Sequence, residues 1–292
     1  MSQFKTPPPS PQYSKLTFPS PNNSILLVTL SRPKALNSIN SAGHAELHRI
    51  WEWMDDEPSI RVGVITGEGR AFCAGADLKG ILSTFSILSL FLEWNASVSS
   101  NTDRNLPPSS GFGGLSRRSG KKPIIAAVNG LCLGGGCEMI TNTDIVIASE
   151  GAFFGFPEVQ RGVVAWAGAL PRIVRTIGKQ RAMEMVLTGR RVSAREAERW
   201  GFVNEVVAGG DGDGEVVRRA IEVAGVIAGN SPDAVIVSRE GVKMGWEGLG
   251  AEEASRLLAE GWEKKLNAGE NIKEGLKAFV EKRKPVWKES KL

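Results

Sequence analysis

The sequence predicts an α/β fold on three observations. Short β-branched runs alternate with helical patterns through the first two thirds, glycines punctuate the ends of several runs, and the remainder reads almost wholly as helices. Ile25-Leu26-Leu27-Val28-Thr29-Leu30 reads as a strand, Ala42 to Asp55 as an amphipathic helix, and Val62-Gly63-Val64-Ile65-Thr66 as a strand ending at Gly67. Ile124-Ile125-Ala126-Ala127-Val128 and Ile145-Val146-Ile147-Ala148 repeat the theme as unbroken apolar runs, the pattern of strands buried on both faces. Between Ser83 and Lys122 the pattern breaks: an apolar stretch, Ile87 to Trp94, leads into Asn, Ser, Pro and Gly. A connection this long is expected to be a lid or binding loop. After Gly189, Ser193 with Glu196 three places on forms a capping box that opens a helix. Past the Gly/Asp stretch at 209–214 the helices break near Asn230-Ser231-Pro232 and Gly248-Leu249-Gly250. Leu257, Leu258, Trp262 and Leu266 form an apolar stripe, continued by Ile272, Leu276, Phe279 and Val280, that needs its own core or a neighbouring subunit as partner.

With 292 residues, 41% hydrophobic and 23% charged, the chain can bury one large core or two modest ones. Lys and Arg exceed Asp and Glu by only 36 − 32 = 4 and are scattered apart from Lys282-Arg283-Lys284, which argues against a nucleic-acid surface. Cys73, Cys132 and Cys137 fit neither a disulfide framework nor a zinc site, so they read as small core residues in a reducing compartment. No run is long and apolar enough for a signal peptide or membrane span. The resulting division is a flexible Pro/Ser-rich tail at 1–23, an α/β core at 24–208, a helical region at 209–287 and a short tail at 288–292. That last tail ends in Ser290-Lys291-Leu292, the tripeptide read by the peroxisomal import receptor, so residence in the peroxisomal matrix is expected.

Two carboxylates carry the chemistry. Glu138 closes Leu133-Gly134-Gly135-Gly136-Cys137-Glu138 and Glu158 closes Phe154-Gly155-Phe156-Pro157-Glu158, each after a stretch whose backbone Gly or Pro dictates. A fixed pair of acids can move a proton and a water between them if something else stabilises the developing negative charge. The three glycines before Glu138 leave no side chain between backbone and ligand, and the helix read over Cys137 to Thr141 would begin with free N–H groups suited to an oxyanion. A second loop, Thr66 to Leu78, leaves a strand, consists largely of small residues around Ala74, Gly75 and Ala76, and ends at Asp77, expected to anchor the turn by accepting backbone N–H bonds. His44 and His48 stand one helical turn apart, but with Glu46 between them and no third ligand they read as structural. No G-x-S-x-G elbow, phosphate loop or dinucleotide fingerprint is present.

Taken together, these segments resemble the crotonase superfamily, specifically its enoyl-CoA hydratase branch, from about Ser24 to Lys284. The landmarks stand in the family's order: Ser31-Arg32-Pro33-Lys34-Ala35-Leu36-Asn37, Phe72 to Leu78, Asn129-Gly130 with the glycine run and Glu138, Asp144, Phe154 to Glu158, Met185 to Gly189, and Ala278 to Lys284. The resemblance implies a crotonase-like spiral of ββα repeats with a C-terminal helical trimerisation region, assembled as a homotrimer or hexamer. It also implies an acyl-CoA thioester substrate, with no cofactor or metal beyond the CoA that is part of that substrate.

By the same resemblance, the backbone N–H groups of Ala76 and Gly135 form the oxyanion hole, Glu138 activates water and Glu158 exchanges a proton with the α-carbon. Lys34, Ala35 and Leu36 would cradle CoA, with Ala74, Gly75, Asp77, Leu78 and Gly134 lining the site and Phe279 and Lys282 helping from the C-terminal helix. Two departures bear on the acyl group: Trp166 stands where short-chain hydratases carry Gly, and Phe156 replaces a commoner polar residue. The activity implied is hydration of a 2-enoyl-CoA. A Δ3,Δ2-enoyl-CoA isomerase is the first alternative and a non-catalytic RNA-binding module of the same fold the second; retention of both acids favours hydration.

Overall fold

From the strand Val62–Gly67 on, each successive pair of strands gives one strand to each of two sheets, and so the backbone spirals between them. The computed structural model describes residues 4–20, 23–77, 109–209 and 214–292. One sheet has the order β1-β2-β3-β5-β7-β10, from β1 (Ser14–Thr17), β2 (Ile25–Leu30), β3 (Val62–Gly67), β5 (Ile124–Val128), β7 (Ile145–Ser149) and β10 (Glu205–Val207). The second has the order β4-β6-β8-β9, from β4 (Ala71–Cys73), β6 (Leu131–Leu133), β8 (Phe153–Gly155) and β9 (Val192–Ser193). Among the described residues only the β1/β2 and β8/β9 pairs are antiparallel.

The helices are α1 (Ser41–Asp56), α2 (Gly135–Ile140), α3 (Ala169–Ile177), α4 (Lys179–Thr188), α5 (Ala194–Trp200), α6 (Glu215–Ala228), α7 (Pro232–Trp246), α8 (Ala251–Ala268) and α9 (Glu270–Val280). Alternate residues of the first sheet face two cores. Leu26, Val28, Ile65, Ala126 and Val128 join the larger one with Phe72, Phe154 and α1, whereas Ile25, Val62, Val64, Ile125 and Ala127 pack with Val216, Ala220 and Ala224 of α6. This two-sided burial is why the strands read as unbroken apolar runs.

Four expectations are corrected. Residues 1–23 are not all flexible tail: Ser14–Thr17 pairs with β2, and buried Glu46 accepts hydrogen bonds from Tyr13 N (3.1 Å) and Ser14 Oγ (2.7 Å). The prolines hold this segment extended, so its backbone groups find partners on α1 instead of within themselves. The division at 208/209 does not separate the packing of core and helical region, because α6 covers one face of the first sheet. Ser193 accepts from Glu196 N at 3.3 Å, but the Glu196 carboxylate pairs with Arg190 at 2.6 Å, so only half of the capping box forms. The Ser83 to Lys122 segment is not all lid. Its described part, 109–122, is mostly buried, while residues 83–108, with the Ile87 to Trp94 stretch, lie outside the described residues.

On α8, Leu257, Leu258, Trp262 and Leu266 are half-buried, and Gly241 of α7 makes room for Leu258, whose Cδ2 would lie 2.8 Å from an added Cβ. The final residues fold back: Ser290 Oγ donates to Asp233 (2.5 Å), Lys288 N to Asn271 Oδ1 (2.8 Å), and Lys121 Nζ to the Leu292 carbonyl (2.6 Å). Among the described residues no single helix is long and apolar enough to cross a membrane.

Candidate active site

Three turns, one from each coil of the spiral, stack at one end of the strands. Asn37, in left-handed conformation (φ 56°), sends its amide Nδ2 to the carbonyl of Ala71 at 2.7 Å and receives Arg32 N–H on Oδ1 at 2.9 Å. Asn129 repeats the device one coil later, accepting from Gly67 N (3.1 Å) and donating to the Gly69 carbonyl (2.7 Å). Between the first two turns, Ile39 N–H donates to the Gly75 carbonyl and Asp77 N–H to the Ile39 carbonyl, both at 3.0 Å. Asp77 anchors this junction through its carboxylate, but the partner differs from the expected backbone amides: Arg32 reaches it at 2.8 Å and also donates to the Ser38 carbonyl at 2.7 Å. Lys34, Ala35 and Leu36 thus lie beside Ala74 and Gly75, with Ala74 N–H donating to the Leu36 carbonyl at 3.0 Å.

The glycine run passes directly beneath. A Cβ added at Gly75 would stand 3.3 Å from Gly135 N and 3.7 Å from the Gly134 Cα, so only glycine permits this approach. Among the described residues neither Ala76 N–H nor Gly135 N–H donates a hydrogen bond. Each belongs to one side of the same junction, and Gly135 opens α2, whose first amides have no intrahelical acceptor.

The two acids converge here. Glu158 Oε1 lies 2.9 Å from where a Gly134 Cβ would stand, and its Oε2 is buried with no hydrogen-bond partner among the described residues. The Pro157–Arg161 3-10 turn, closed by Gly162 at φ 68°, presents it. Glu138, on α2, is 5% exposed and accepts Ala169 N–H at 3.3 Å on Oε2, and the Ala167 backbone amide also faces its carboxylate. Burial, reinforced by the Glu158 charge, pushes Glu138 up to about 8 against these amide donors and the Arg117 charge. Burial likewise raises Glu158, opposed by its own backbone N–H and the Arg161 charge. Two buried acids whose charges repel, next to two amides that donate no hydrogen bond among the described residues, can pass one proton between them while an anion is held at the amides.

Residues 109–118 complete the site, and sequence reasoning missed them. Phe112 lies under Gly135, its ring atoms 2.4 Å from an added Cβ, and Phe112 N–H donates to Ser116 Oγ (2.8 Å), which in turn donates to the Ala167 carbonyl (2.8 Å). Arg117 donates to the Trp166 carbonyl at 3.1 Å. The legible signal was Gly111, Gly113 and Gly114, all at positive φ (77°, 59° and 68°), a second glycine cluster facing the first. His44 is buried deeper than a surface histidine. Its Nδ1 accepts Gly113 N–H at 3.0 Å, and burial lowers it to about 4, so it is neutral. His48 Nδ1 meets Ser110 Oγ at 2.8 Å, which leaves the pair structural.

The remaining expected site residues divide. The Trp166 side chain is 46% exposed beside the turn that holds Glu138. Phe279 is 84% exposed at the end of α9, and no described contact of Phe279 or of Lys282 (φ 51°) brings either to the acids within one chain. Leu78 lies outside the described residues.

Comparison with known proteins follows this geometry. The family model described as enoyl-CoA hydratase/isomerase matches residues 20–290. The chain is 50% identical to a mevalonyl-coenzyme A hydratase of Beauveria bassiana, over 99% of each chain. It is 51% identical to one of Aspergillus fumigatus, over 97% of this chain and 98% of that one. A crystal structure of an enoyl-CoA hydratase from Bacillus anthracis superposes with a TM-score of 0.81 at 31% identity, covering 95% of this chain and 99% of that one.

Proposed function

The chain belongs to the enoyl-CoA hydratase/isomerase family of the crotonase superfamily, and from that premise we propose a hydro-lyase that interconverts a 3-hydroxyacyl-CoA and its 2-enoyl-CoA, with mevalonyl-CoA as the hydrated partner. The convergence of Glu138 and Glu158 beneath the free amides of Ala76 and Gly135 carries the reaction class. The two relatives named mevalonyl-coenzyme A hydratases, matched over nearly their whole length, support the substrate.

In the proposed reaction the thioester carbonyl accepts from Ala76 and Gly135 N–H, worth about 3 kcal/mol per donor by analogy with other oxyanion holes. For dehydration, ionised Glu158 takes the C2 proton, enolate charge collects at those amides, and protonated Glu138 gives its proton to the C3 hydroxyl, which leaves as water. Hydration reverses each step, with Glu138 as base and Glu158 as acid. The reaction balances with no cofactor beyond the CoA of the substrate. Lys34, Ala35 and Leu36 would meet CoA in this reading, which their hydrogen-bonded position beside the Ala74–Gly75 turn supports. Phe279 and Lys282 would meet it only from a neighbouring subunit, and the exposed Leu276, Phe279 and Val280 support trimeric or hexameric assembly, testable by sedimentation.

Purified enzyme assayed on mevalonyl-CoA, 3-hydroxybutyryl-CoA and crotonyl-CoA should show the highest kcat/KM on the branched hydroxylated thioester; preference for crotonyl-CoA would move the reading to the general enoyl-CoA hydratases. The isomerase reading is separated by Glu138→Ala, which should abolish hydration, whereas a Δ3,Δ2 isomerisation driven by Glu158 alone would survive it. Ser290-Lys291-Leu292 supports peroxisomal residence. Receptor engagement would require the tripeptide to leave its contacts with Asp233 and Lys121. A fluorescent fusion that still enters peroxisomes without Leu292 would remove that part of the proposal.

A further inference from the structure

We propose that Arg117 is a positioning residue for the dehydration: it acts on Glu138 through the turn formed by residues 166–169. Its guanidinium Nη2 donates to the Trp166 carbonyl at 3.1 Å at one end of this turn, and Ala169 N–H at the other end donates to Glu138 Oε2 at 3.3 Å. A cation held against this turn favours the ionised form of the carboxylate that the same turn bonds. Ser116 Oγ holds the same turn at its middle, donating to the Ala167 carbonyl at 2.8 Å.

The stem of Arg117 is fixed by glycine on both sides. An added Cβ would stand 3.1 Å from its Cγ at Gly111 and 3.2 Å at Gly168, both at positive φ. Adjacent Arg118 is spoken for, paired with Asp55 at 2.6 Å, whereas Arg117 is in no ion pair among the described residues, so its charge is left to act on the cleft. The other groups facing the site are Glu158, which opposes ionisation of Glu138; Arg161, which acts on Glu158; and Arg172, which lies beside Arg117 and is paired with Glu247 at 3.7 Å.

The inference rests on the proposed role of Glu138, and the experiment separates the two. The pH profile of kcat/KM is measured for wild type, Arg117→Met, Arg117→Gln and Arg117→Lys, with melting temperatures alongside. Removing the charge should displace the profile toward higher pH by about half a unit or more and lower kcat more than it raises KM, while Arg117→Lys restores the wild-type position. A purely structural Arg117 would lower activity and melting temperature and leave the profile in place. That outcome in both Arg117→Met and Arg117→Gln overturns the inference. Full activity in Glu138→Gln would instead overturn the reading of Glu138 itself.

Discussion

Replacing Glu138 by Gln should stabilise the protein in a pH-dependent way while abolishing its activity. The carboxyl is 5% exposed and holds its proton up to about pH 8, against an ordinary value of 4.5. Below pH 4.5 both folded and unfolded chains are protonated there, and the residue adds no pH-dependent cost. Between 4.5 and about 8 the unfolded chain releases the proton while the folded chain keeps it, so stability falls as pH rises, by about 1.4 kcal/mol per unit. The gap of about 3.5 units gives a ceiling of about 5 kcal/mol above pH 8, and about 3.4 kcal/mol at pH 7. Gln keeps an oxygen for Ala167 and Ala169 N–H and carries no charge to desolvate. For a chain of this length, 3.4 kcal/mol corresponds to a melting-temperature difference of roughly 5 °C. Differential scanning calorimetry of both proteins at pH 5, 7 and 8.5 measures it. A difference that is the same at all three values would refute the buried-acid argument, whatever its effect on catalysis.

Gly134→Ala should place a methyl group 2.9 Å from Glu158 Oε1 at φ 53° and displace that carboxylate, lowering kcat about 100-fold with an intact fold by circular dichroism. Gly135→Ala meets the Phe112 ring at 2.4 Å instead, and because that ring is buried, it should also lower the melting temperature. His44→Phe strands the Gly113 N–H and should cost about 1–3 kcal/mol in urea unfolding, with no change in the pH profile near neutrality because His44 is already neutral there. Asp55→Ala leaves Arg118, 7% exposed, without its partner at 2.6 Å and should cost about 3–5 kcal/mol in the same assay.

What the sequence made legible is what local rules determine. Ile25–Leu30, Val62–Gly67 and Ile124–Val128 lie in a parallel sheet with a core on each face, and such strands announce themselves as apolar runs. Glu138 and Glu158 stood out because Gly and Pro fix the backbone beside them. The supporting shell was hidden for the opposite reason: Phe112, Ser116 and Arg117 sit in a turn without periodicity, and the burial of the first two and the half-burial of Arg117 are created by α1, α2 and the 166–169 turn, which are distant in sequence. Asp77 shows the same limit. Its type marked it as an anchor, but only the stacked coils show that the partner is Arg32.

The asymmetry between the two acids bears on which way the proton sits before substrate arrives. Glu138 lies on a buried helix and is pushed up by both desolvation and its neighbour, whereas Glu158 lies on a half-buried turn within reach of the Arg161 charge. If one proton is shared, it therefore rests on Glu138, and the pair titrates with values that belong to both. That charge state is the one the proposed dehydration starts from: a base at C2 and an acid at the C3 hydroxyl. Hydration starts from the opposite arrangement, with the proton on Glu158, which the site holds less readily. Both directions nevertheless pass through one transition state with one total protonation, so their kcat/KM profiles should share the same limbs. Profiles with different limbs would mean that a third titrating group takes part, and the two-acid account would fail even if each acid proved essential.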